Sequence, residues 1–271
     1  MDEQTQNLPD IKREPPSQFL FAAEVPRVVA EGAALVGLWP ILRRLPKGDG
    51  HAVMVLPGFG ADDMSTAPLR QCLNRMGYDA HGWGQGVNLG GSTLQREALR
   101  DLSLKLYERS GQPISLVGHS LGGIYAREMT RARPFQYRQV ITLGSPFSHG
   151  GLVANNVSLL MEAVLGNAPP EISEGAKHRL ASPPPVPTSA IYTRRDGVVP
   201  WQSCKQNLDH HQAKRAENIE VPGSHTGLIV NPAVLYILAD RLRQPGHQWQ
   251  PFAPKGITGM LYKRLSALAN I

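Results

Sequence analysis

Residues 114–133 read ISLVGHSLGGIYAREMTRAR. The opening apolar run is typical of a buried strand, and the segment after the two glycines has the length and apolar spacing of a helix. Between them, Gly118-His119-Ser120-Leu121-Gly122 fits a nucleophile elbow, a strained turn that projects one side chain out of a sheet. Glycines at 118 and 122 suit this turn because neighbouring backbone must approach closely. Ser120 is therefore the predicted nucleophile, and a helix-capping serine on an ordinary turn is the alternative.

Strand and helix patterns alternate on both sides of this stretch. Apolar runs bounded by glycine and proline predict strands, and segments with helical spacing follow several of them. Such alternation predicts an α/β fold with a mostly parallel central sheet flanked by helices. The predicted strands lie in 51–60, 78–83, 139–145, 189–194 and 217–223, and the predicted helices in 64–76, 92–110 and 226–243, with Pro232 kinking or restarting the last one.

The length and composition limit the number of domains, the kinds of partner and the location that the chain can have. A chain of 271 residues with 41% hydrophobic residues can form one main domain. The formal charge of +6 is spread along the chain, which argues against a nucleic-acid surface and leaves a weak attraction to anionic membranes. Cys72 and Cys204 form neither a disulfide framework nor a zinc motif, and the polar opening residues do not look like a secretory signal. These features favour a reducing, cytoplasmic location.

The N-terminal residues suggest an extension that precedes the main domain. We divide the chain into an extension at 1–47, with an apolar helical segment, and a main domain at 48–271. Within 19–45, Glu24, Arg27 and Glu31 leave no uncharged run of the roughly 20 residues that a membrane-spanning helix needs. A helix or helix pair packed on the domain is the favoured interpretation, and peripheral membrane contact is the alternative.

A free serine hydroxyl is a poor nucleophile, so Ser120 requires an adjacent base. In elbow-type enzymes the chain order is serine, acid, histidine, which excludes His51 and His81. His225, in VPGSHTGL after the last predicted strand, is the favoured base. The less favoured histidines are His149, His178, His210, His211 and His247.

The acid of the triad should fix the histidine tautomer and stabilise the imidazolium. Asp196 follows a predicted strand and precedes Gly197, so it lies on a strand-end turn ahead of His225. Asp209 is the reserve candidate, and Asp240 comes after the base in the chain. The sequence therefore predicts Ser120, Asp196 and His225 as a catalytic triad, which needs no metal or cofactor.

Acyl transfer also requires backbone donors for the developing oxyanion. One should come from the residue after the nucleophile and one from the loop after an earlier strand. We predict the Leu121 and Phe59 amides, with Gly60 as the reserve in the loop of residues 57–60. Loss of one such donor typically costs about 10²–10³ in turnover.

A long connection separates the fourth and fifth predicted strands. Residues 148–188 far exceed the median loop length of about 4–6 residues, which predicts a lid insertion. Its proline-rich end, ASPPPVP, fits a stiff polyproline strap as an alternative. Its apolar residues either line an acyl-chain pocket or pack the lid against the sheet.

Taken together, LPGFG, VGHSLGG, TLGSPFSHG, DGVVP and GSHTGL resemble the α/β-hydrolase superfamily, specifically its bacterial lipases and esterases. The resemblance covers roughly residues 50–243, although Pro57 stands where many relatives have histidine. It implies a serine hydrolase that cleaves small-molecule or lipid carboxylic esters through an acyl-enzyme. An acyltransferase or thioesterase with the same triad, and a non-catalytic lipid-binding protein, are the alternatives.

Overall fold

The computed structural model describes residues 15–90, 93–148, 173–209 and 211–268. Most of the predicted lid insertion at 148–188 therefore lies outside the described residues, as do His149 and His210. The division of the chain at residue 47 stays a prediction.

Six strands form one sheet in which every neighbouring pair is parallel. Their order across the sheet is β2-β1-β3-β4-β5-β6. The predicted mostly parallel sheet flanked by helices is thus confirmed. The strands are β1 (Ala52–Leu56), β2 (Asp79–His81), β3 (Ile114–His119), β4 (Tyr137–Leu143), β5 (Thr188–Tyr192) and β6 (Ala216–Glu220).

Helices connect the strands and precede and follow the sheet. They are α1 (Gln18–Ala22), α2 (Glu24–Leu42), α3 (Asp63–Arg75), α4 (Thr93–Ser110), α5 (Leu121–Ala132), α6 (Glu174–Ala181), α7 (Pro232–Leu242) and α8 (Gly256–Leu268). Short 3₁₀ turns occur at Pro134–Gln136, Trp201–Cys204, His211–Arg215, Thr226–Ile229 and Gly246–Gln248.

The four inner strands β1, β3, β4 and β5 are buried on both faces, which explains their largely apolar sequences. Alternate residues of β1 enter different cores, because side chains in a strand point to opposite faces. Val53 and Val55 pack with α2, α3, α7 and α8 on one face. Met54 and Leu56 pack with α4 and α5 on the other.

The C-terminal part of the chain differs in two ways from the sequence pattern. The predicted helix at 226–243 is divided into the 3₁₀ turn Thr226–Ile229 and helix α7, which Pro232 restarts. The Asn231 side chain caps α7 by accepting hydrogen bonds from the Ala233 and Val234 amides. Helix α8 was not predicted from the sequence, yet its Leu265 is buried in the core.

The turn between β3 and α5 is packed tightly against the end of β1. A Cβ atom on Gly122 would overlap the Leu56 carbonyl oxygen and lie 2.6 Å from that of Pro57. A Cβ atom on Gly118 would likewise overlap the backbone of Gly123. Backbone atoms cannot move aside as a flexible side chain can, so both glycines are required for close approach.

We expect Gly122→Ala to lower the free energy of unfolding by about 1–3 kcal/mol, because the added methyl group must displace two backbone carbonyls. Urea unfolding measures this change. The matched control is Gly37→Ala in the interior of α2, where nothing lies within 4 Å of the added Cβ atom. That control should stabilise the protein by up to about 1 kcal/mol. Equal stability of the two variants would contradict the packing described.

Candidate active site

The sheet brings four loops to a single edge. Ser120 follows β3, Asp196 follows β5, and His225 follows β6, while the loop of residues 57–60 follows β1. Because all six strands are parallel, the carboxyl ends of these strands lie at the same edge of the sheet. Residues that are distant in sequence are therefore neighbours in space.

Ser120 occupies a strained turn. Its φ of 50° and ψ of −122° make it the one non-glycine residue with positive φ in the described part of the chain. Such a conformation costs of the order of 1–3 kcal/mol and persists only when its surroundings enforce it. The Ser120 amide donates to the Leu143 carbonyl (2.9 Å), which ties the turn to β4. Its side chain does not cap α5, so the capping interpretation does not apply.

Asp196 and His225 are buried and directly hydrogen-bonded. The distance from His225 Nδ1 to Asp196 Oδ2 is 2.7 Å. The other carboxylate oxygen, Oδ1, accepts from the amides of Val198 (2.9 Å) and Val199 (2.7 Å). The strand-end turn thus holds the carboxylate in place and directs its second oxygen to the imidazole.

This contact fixes the state of the His225 ring. A carboxylate only accepts hydrogen bonds, so Nδ1 carries the proton and Nε2 of the neutral ring keeps a free lone pair. Burial opposes protonation of His225, but the charge and hydrogen bond of Asp196, with a smaller contribution from Glu24, outweigh it. The pKa of His225 is therefore raised above its ordinary value of 6.5.

His119, inside the elbow, contacts the loop that carries His225. Its Nε2 lies 3.0 Å from the His225 carbonyl oxygen, which can only accept, so Nε2 donates. The two imidazole rings are 5.1 Å apart. Burial and the neighbouring His225 lower the pKa of His119 to about 3, despite its hydrogen bond. His119 is therefore neutral at pH 7.

The three predicted triad residues are not all in direct contact. Among the described residues, no hydrogen bond joins the Ser120 hydroxyl to the His225 imidazole. Ser120 is instead adjacent to His119, whose ring packs beside His225. Hydrogen bonds between catalytic groups are often long in unliganded proteins and shorten when substrate binds.

The backbone near Ser120 offers two free donors. Within the described ranges, neither the Phe59 nor the Leu121 amide donates to a backbone carbonyl outside the regular elements. The reserve donor Gly60 is engaged, because its amide donates to the Asn88 carbonyl (2.8 Å). The loop lies against the nucleophile: a Cβ atom on Gly58 would be 3.1 Å from Ser120 Cβ.

Several supporting residues were not assigned from the sequence. Asn88 is fully buried, and its Nδ2 donates to the Pro57 carbonyl (2.9 Å), which supports the loop of residues 57–60. Glu24 and Glu31 of α2 are also buried and contact the loops that carry Asp196 and His225. No local motif marks Asn88. The two glutamates, however, share one helical face at a spacing of seven residues.

The less favoured sequence candidates lie elsewhere. Asp209, His178 and His247 are exposed. Asp240 is paired with its neighbour Arg241. None of these side chains is hydrogen-bonded to Ser120 or His225 in the described part of the chain.

A second Ser–His–Asp set lies near the amino ends of the strands. His51 Nε2 is 2.8 Å from Ser115 Oγ, and His51 Nδ1 is 2.5 Å from Asp49 Oδ1. Ser115 and His51 are fully buried within the sheet, so no substrate can reach this hydroxyl. The set joins β1 to β3, which shows that the triad residue types alone do not make a site.

The described residues contain no group of three or more His, Cys, Asp or Glu side chains that could hold a metal ion. The arrangement at the carboxyl edge can instead perform acid–base and nucleophilic chemistry. It offers a hydroxyl at a strained turn, a buried imidazole–carboxylate pair and free amides.

Comparison with known proteins places this chain among related folds. The sequence matches the family model described as "Alpha/beta hydrolase family" over residues 32–262. No curated protein sequence matches it.

Several solved structures share the fold at low sequence identity. The Aspergillus fumigatus lipase B structure has a TM-score of 0.51 and 17% identity, over 82% of this chain and 62% of that one. The Paleococcus ferrophilus monoacylglycerol lipase has a TM-score of 0.51 and 16% identity, over 72% and 96%. A thioesterase domain from the curacin biosynthetic pathway has a TM-score of 0.50 and 14% identity, over 74% and 93%.

We expect the two neighbouring histidines to titrate very differently. His119 should show no titration between pH 5 and 8, because its pKa is lowered to about 3. The titration midpoint of His225 should lie above pH 6.5, because its pKa is raised. Ring-proton NMR across this pH range measures both, with His119→Gln and His225→Gln variants to assign the signals. A His119 midpoint near 6.5 would contradict the buried, neutral state described.

Proposed function

Because this chain belongs to the α/β-hydrolase family, we propose that it is a serine hydrolase that cleaves carboxylic esters through an acyl-enzyme on Ser120. The observation that carries the proposal is the buried 2.7 Å hydrogen bond between Asp196 and His225. It lies at the sheet edge where Ser120 is held in its strained turn. Nucleophilic acyl transfer requires an oriented imidazole and a hydroxyl in the same site, and both lie at this sheet edge.

In the proposed reaction, His225 Nε2 removes the proton from Ser120 Oγ as the oxygen attacks the ester carbonyl carbon. The carbonyl oxygen becomes negatively charged and accepts hydrogen bonds from the Phe59 and Leu121 amides. Asp196 stabilises the imidazolium without taking its proton. His225 then gives the proton to the leaving alcohol, and the acyl group remains on Ser120.

The second half of the reaction repeats these roles with water. His225 removes a proton from a water molecule, which attacks the acyl carbon. Collapse of the second tetrahedral intermediate returns the proton to Ser120 and releases the carboxylic acid. No metal or cofactor takes part in the proposed sequence.

The alternatives within this chemistry differ in the acceptor or the leaving group. An acyltransferase would exclude water and admit an alcohol, and a thioesterase would release a thiol from the same acyl-enzyme. Product analysis distinguishes them: free acid from an oxygen ester supports hydrolysis, and a new ester formed in dilute alcohol supports transfer. Two lipases among the structural neighbours favour oxygen esters, including lipid-like ones, as the proposed substrates.

We expect Ser120→Ala to abolish labelling by a fluorophosphonate and to lower kcat for p-nitrophenyl esters by at least about 10⁴-fold. Asp196→Asn should lower kcat by about 10⁴-fold, because the imidazole then adopts the wrong tautomer. The matched control is Ser110→Ala at the end of α4, which should label and turn over as the wild type does. Undiminished labelling of the Ser120→Ala variant would remove Ser120 from its proposed role.

We also propose peripheral contact with an anionic lipid surface, in a cytoplasmic protein. Helix α2 is long and apolar enough to cross a membrane by length and composition alone. Its charged residues, however, are buried against the site loops, and an apolar face is left outside. Val25, Val29 and Val36 on this face are 71%, 67% and 75% exposed. The exposed Arg43, Arg44 and Lys47 follow the helix and match anionic headgroups in charge. Cys72 and Cys204 are both buried thiols, which supports a reducing compartment.

We expect the triple substitution Val25→Ser, Val29→Ser, Val36→Ser to abolish co-sedimentation with phosphatidylglycerol vesicles. Turnover of a soluble short-chain ester should be unchanged, because the substituted side chains face away from the site. Leu94→Ser is the matched control, since Leu94 is an exposed apolar residue (76%) of α4 on another helix. Equal vesicle binding by the wild type and the triple variant would refute the lipid contact. Deletion of the whole N-terminal segment cannot serve as this test, because it also removes Glu24 and Glu31.

A further inference from the structure

Helix α2 buries a row of charged side chains although the helix is otherwise apolar. Glu24, Arg27 and Glu31 follow one another at helical spacing and are 5%, 7% and 1% exposed. Burying an ionised carboxylate is costly unless hydrogen bonds satisfy it. Such residues are rarely present for packing alone, so their partners indicate what they do.

The partners of Glu24 are the backbone amides of both proposed triad loops. Its Oε1 accepts from the Gly197 amide (2.9 Å), next to Asp196, and from the His225 amide (3.0 Å). Its Oε2 accepts from the Thr226 amide (3.0 Å). One carboxylate therefore joins the turn that carries the acid to the loop that carries the base.

Glu31 lies about two turns further along α2 than Glu24 and contacts the same loop, which carries His225. Its Oε1 accepts from the amide and the hydroxyl of Ser224, both at 2.7 Å. Its Oε2 accepts from Asn231 Nδ2 (2.9 Å), the residue that caps α7. The loop between β6 and α7 is thus held on both sides of His225.

Arg27 also contacts the turn that carries Asp196. Its guanidinium pairs with Glu24 Oε1 (2.9 Å) and donates to the Arg195 carbonyl (2.8 Å), one residue before Asp196. The charge of Glu24 is balanced, and the Asp196 turn is held from a second direction.

We propose that Glu24 and Glu31 are positioning residues, which hold the backbones of the Asp196 turn and the His225 loop so that the imidazole is aligned with Ser120. This inference rests on the proposed function and assigns a role in the reaction to a helix that precedes the strands of the sheet. Neither glutamate touches the reacting atoms. Their effect on the rate arises from alignment, since a displacement of about 1 Å at a reacting group can cost about 10²-fold.

The two glutamates differ in how they affect His225. The charged and titratable side chains that face its ring or backbone from the packed elements are Asp196, Glu24 and His119. Glu24 adds negative charge near the ring, whereas Glu31 is hydrogen-bonded to Ser224 and to the Asn231 side chain and not to His225. Loss of the Glu24 charge should therefore lower the pKa of His225, and loss of the Glu31 charge should leave it in place.

The test is the pH profile of kcat/KM for a soluble short-chain p-nitrophenyl ester in the full chain. We expect Glu24→Gln to lower kcat by about 10–10²-fold with little change in KM. Its acid limb should move to lower pH, because a base with a lower pKa stays neutral in more acidic solution. Glu24→Asp keeps the charge but is one methylene shorter, so kcat should fall while the acid limb stays in place.

Glu31→Gln should lower kcat without moving the acid limb. Ser224→Ala removes one donor to Glu31 and keeps all charges, so it provides a milder variant if either glutamine variant fails to fold. We expect it to lower kcat several-fold. Glu97→Gln, an exposed glutamate of α4, is the matched control and should behave as the wild type. Circular dichroism and thermal unfolding verify that each variant is folded.

The outcomes separate this inference from the proposed function. If the folded Glu24, Glu31 and Ser224 variants keep the wild-type kcat and acid limb while Ser120→Ala is inactive, the positioning role is refuted and the serine hydrolase stands. If Ser120→Ala remains active, the proposed function itself fails. A fall in stability with unchanged kcat and pH profile would show that the glutamates serve the fold alone, which also overturns the inference.

Discussion

The structure depends on the backbone turn at Ser120, where β3 gives way to α5 at positive φ. Such a conformation is unfavourable for a residue with a side chain, so the surroundings must enforce it. They do so through the contact of Gly122 with the end of β1 and the hydrogen bond from the Ser120 amide to β4. The sheet therefore sets the position of Ser120, the proposed nucleophile. It also sets where the other loops meet, because parallel strands all end at one edge.

Around this turn, buried polar groups hold the loops of the site in place. Asp196 is satisfied by two amides of its own turn and by His225. His119 donates to the His225 carbonyl, and two carboxylates of α2 accept from the loops on either side. In a low-dielectric interior each such group is costly unless it is paired, so the fully paired arrangement favours one geometry over others. Helix α2 is therefore joined to the site loops, and its outer apolar face is exposed.

The sequence was sufficient for the features that local patterns encode. Buried parallel strands are short apolar runs, and the elbow has a fixed order of strand, turn and helix, so the sheet and the position of Ser120 could be predicted. Chain order and strand-end placement also selected Asp196 and His225, which the structure joins. The contacts of Glu24 and Glu31 could not be predicted in this way, since their partners lie some two hundred residues away. The charges that interrupt the apolar segment argue against a membrane span, and their spacing places them on one helical face, but it does not identify their partners. Asn88 and α8 likewise depend on tertiary packing, which no local pattern reports.

The most direct test of the central claim is a crystal structure of the protein after reaction with a small alkyl phosphonate. We expect a covalent bond from phosphorus to Ser120 Oγ, with the phosphonyl oxygen about 2.7–3.1 Å from the Phe59 and Leu121 nitrogens. We also expect His225 Nε2 to lie within hydrogen-bond distance of Ser120 Oγ, with Asp196 still hydrogen-bonded to His225 Nδ1. A phosphonate bonded to another residue, or an imidazole turned away from Ser120 in the adduct, would contradict the proposed site.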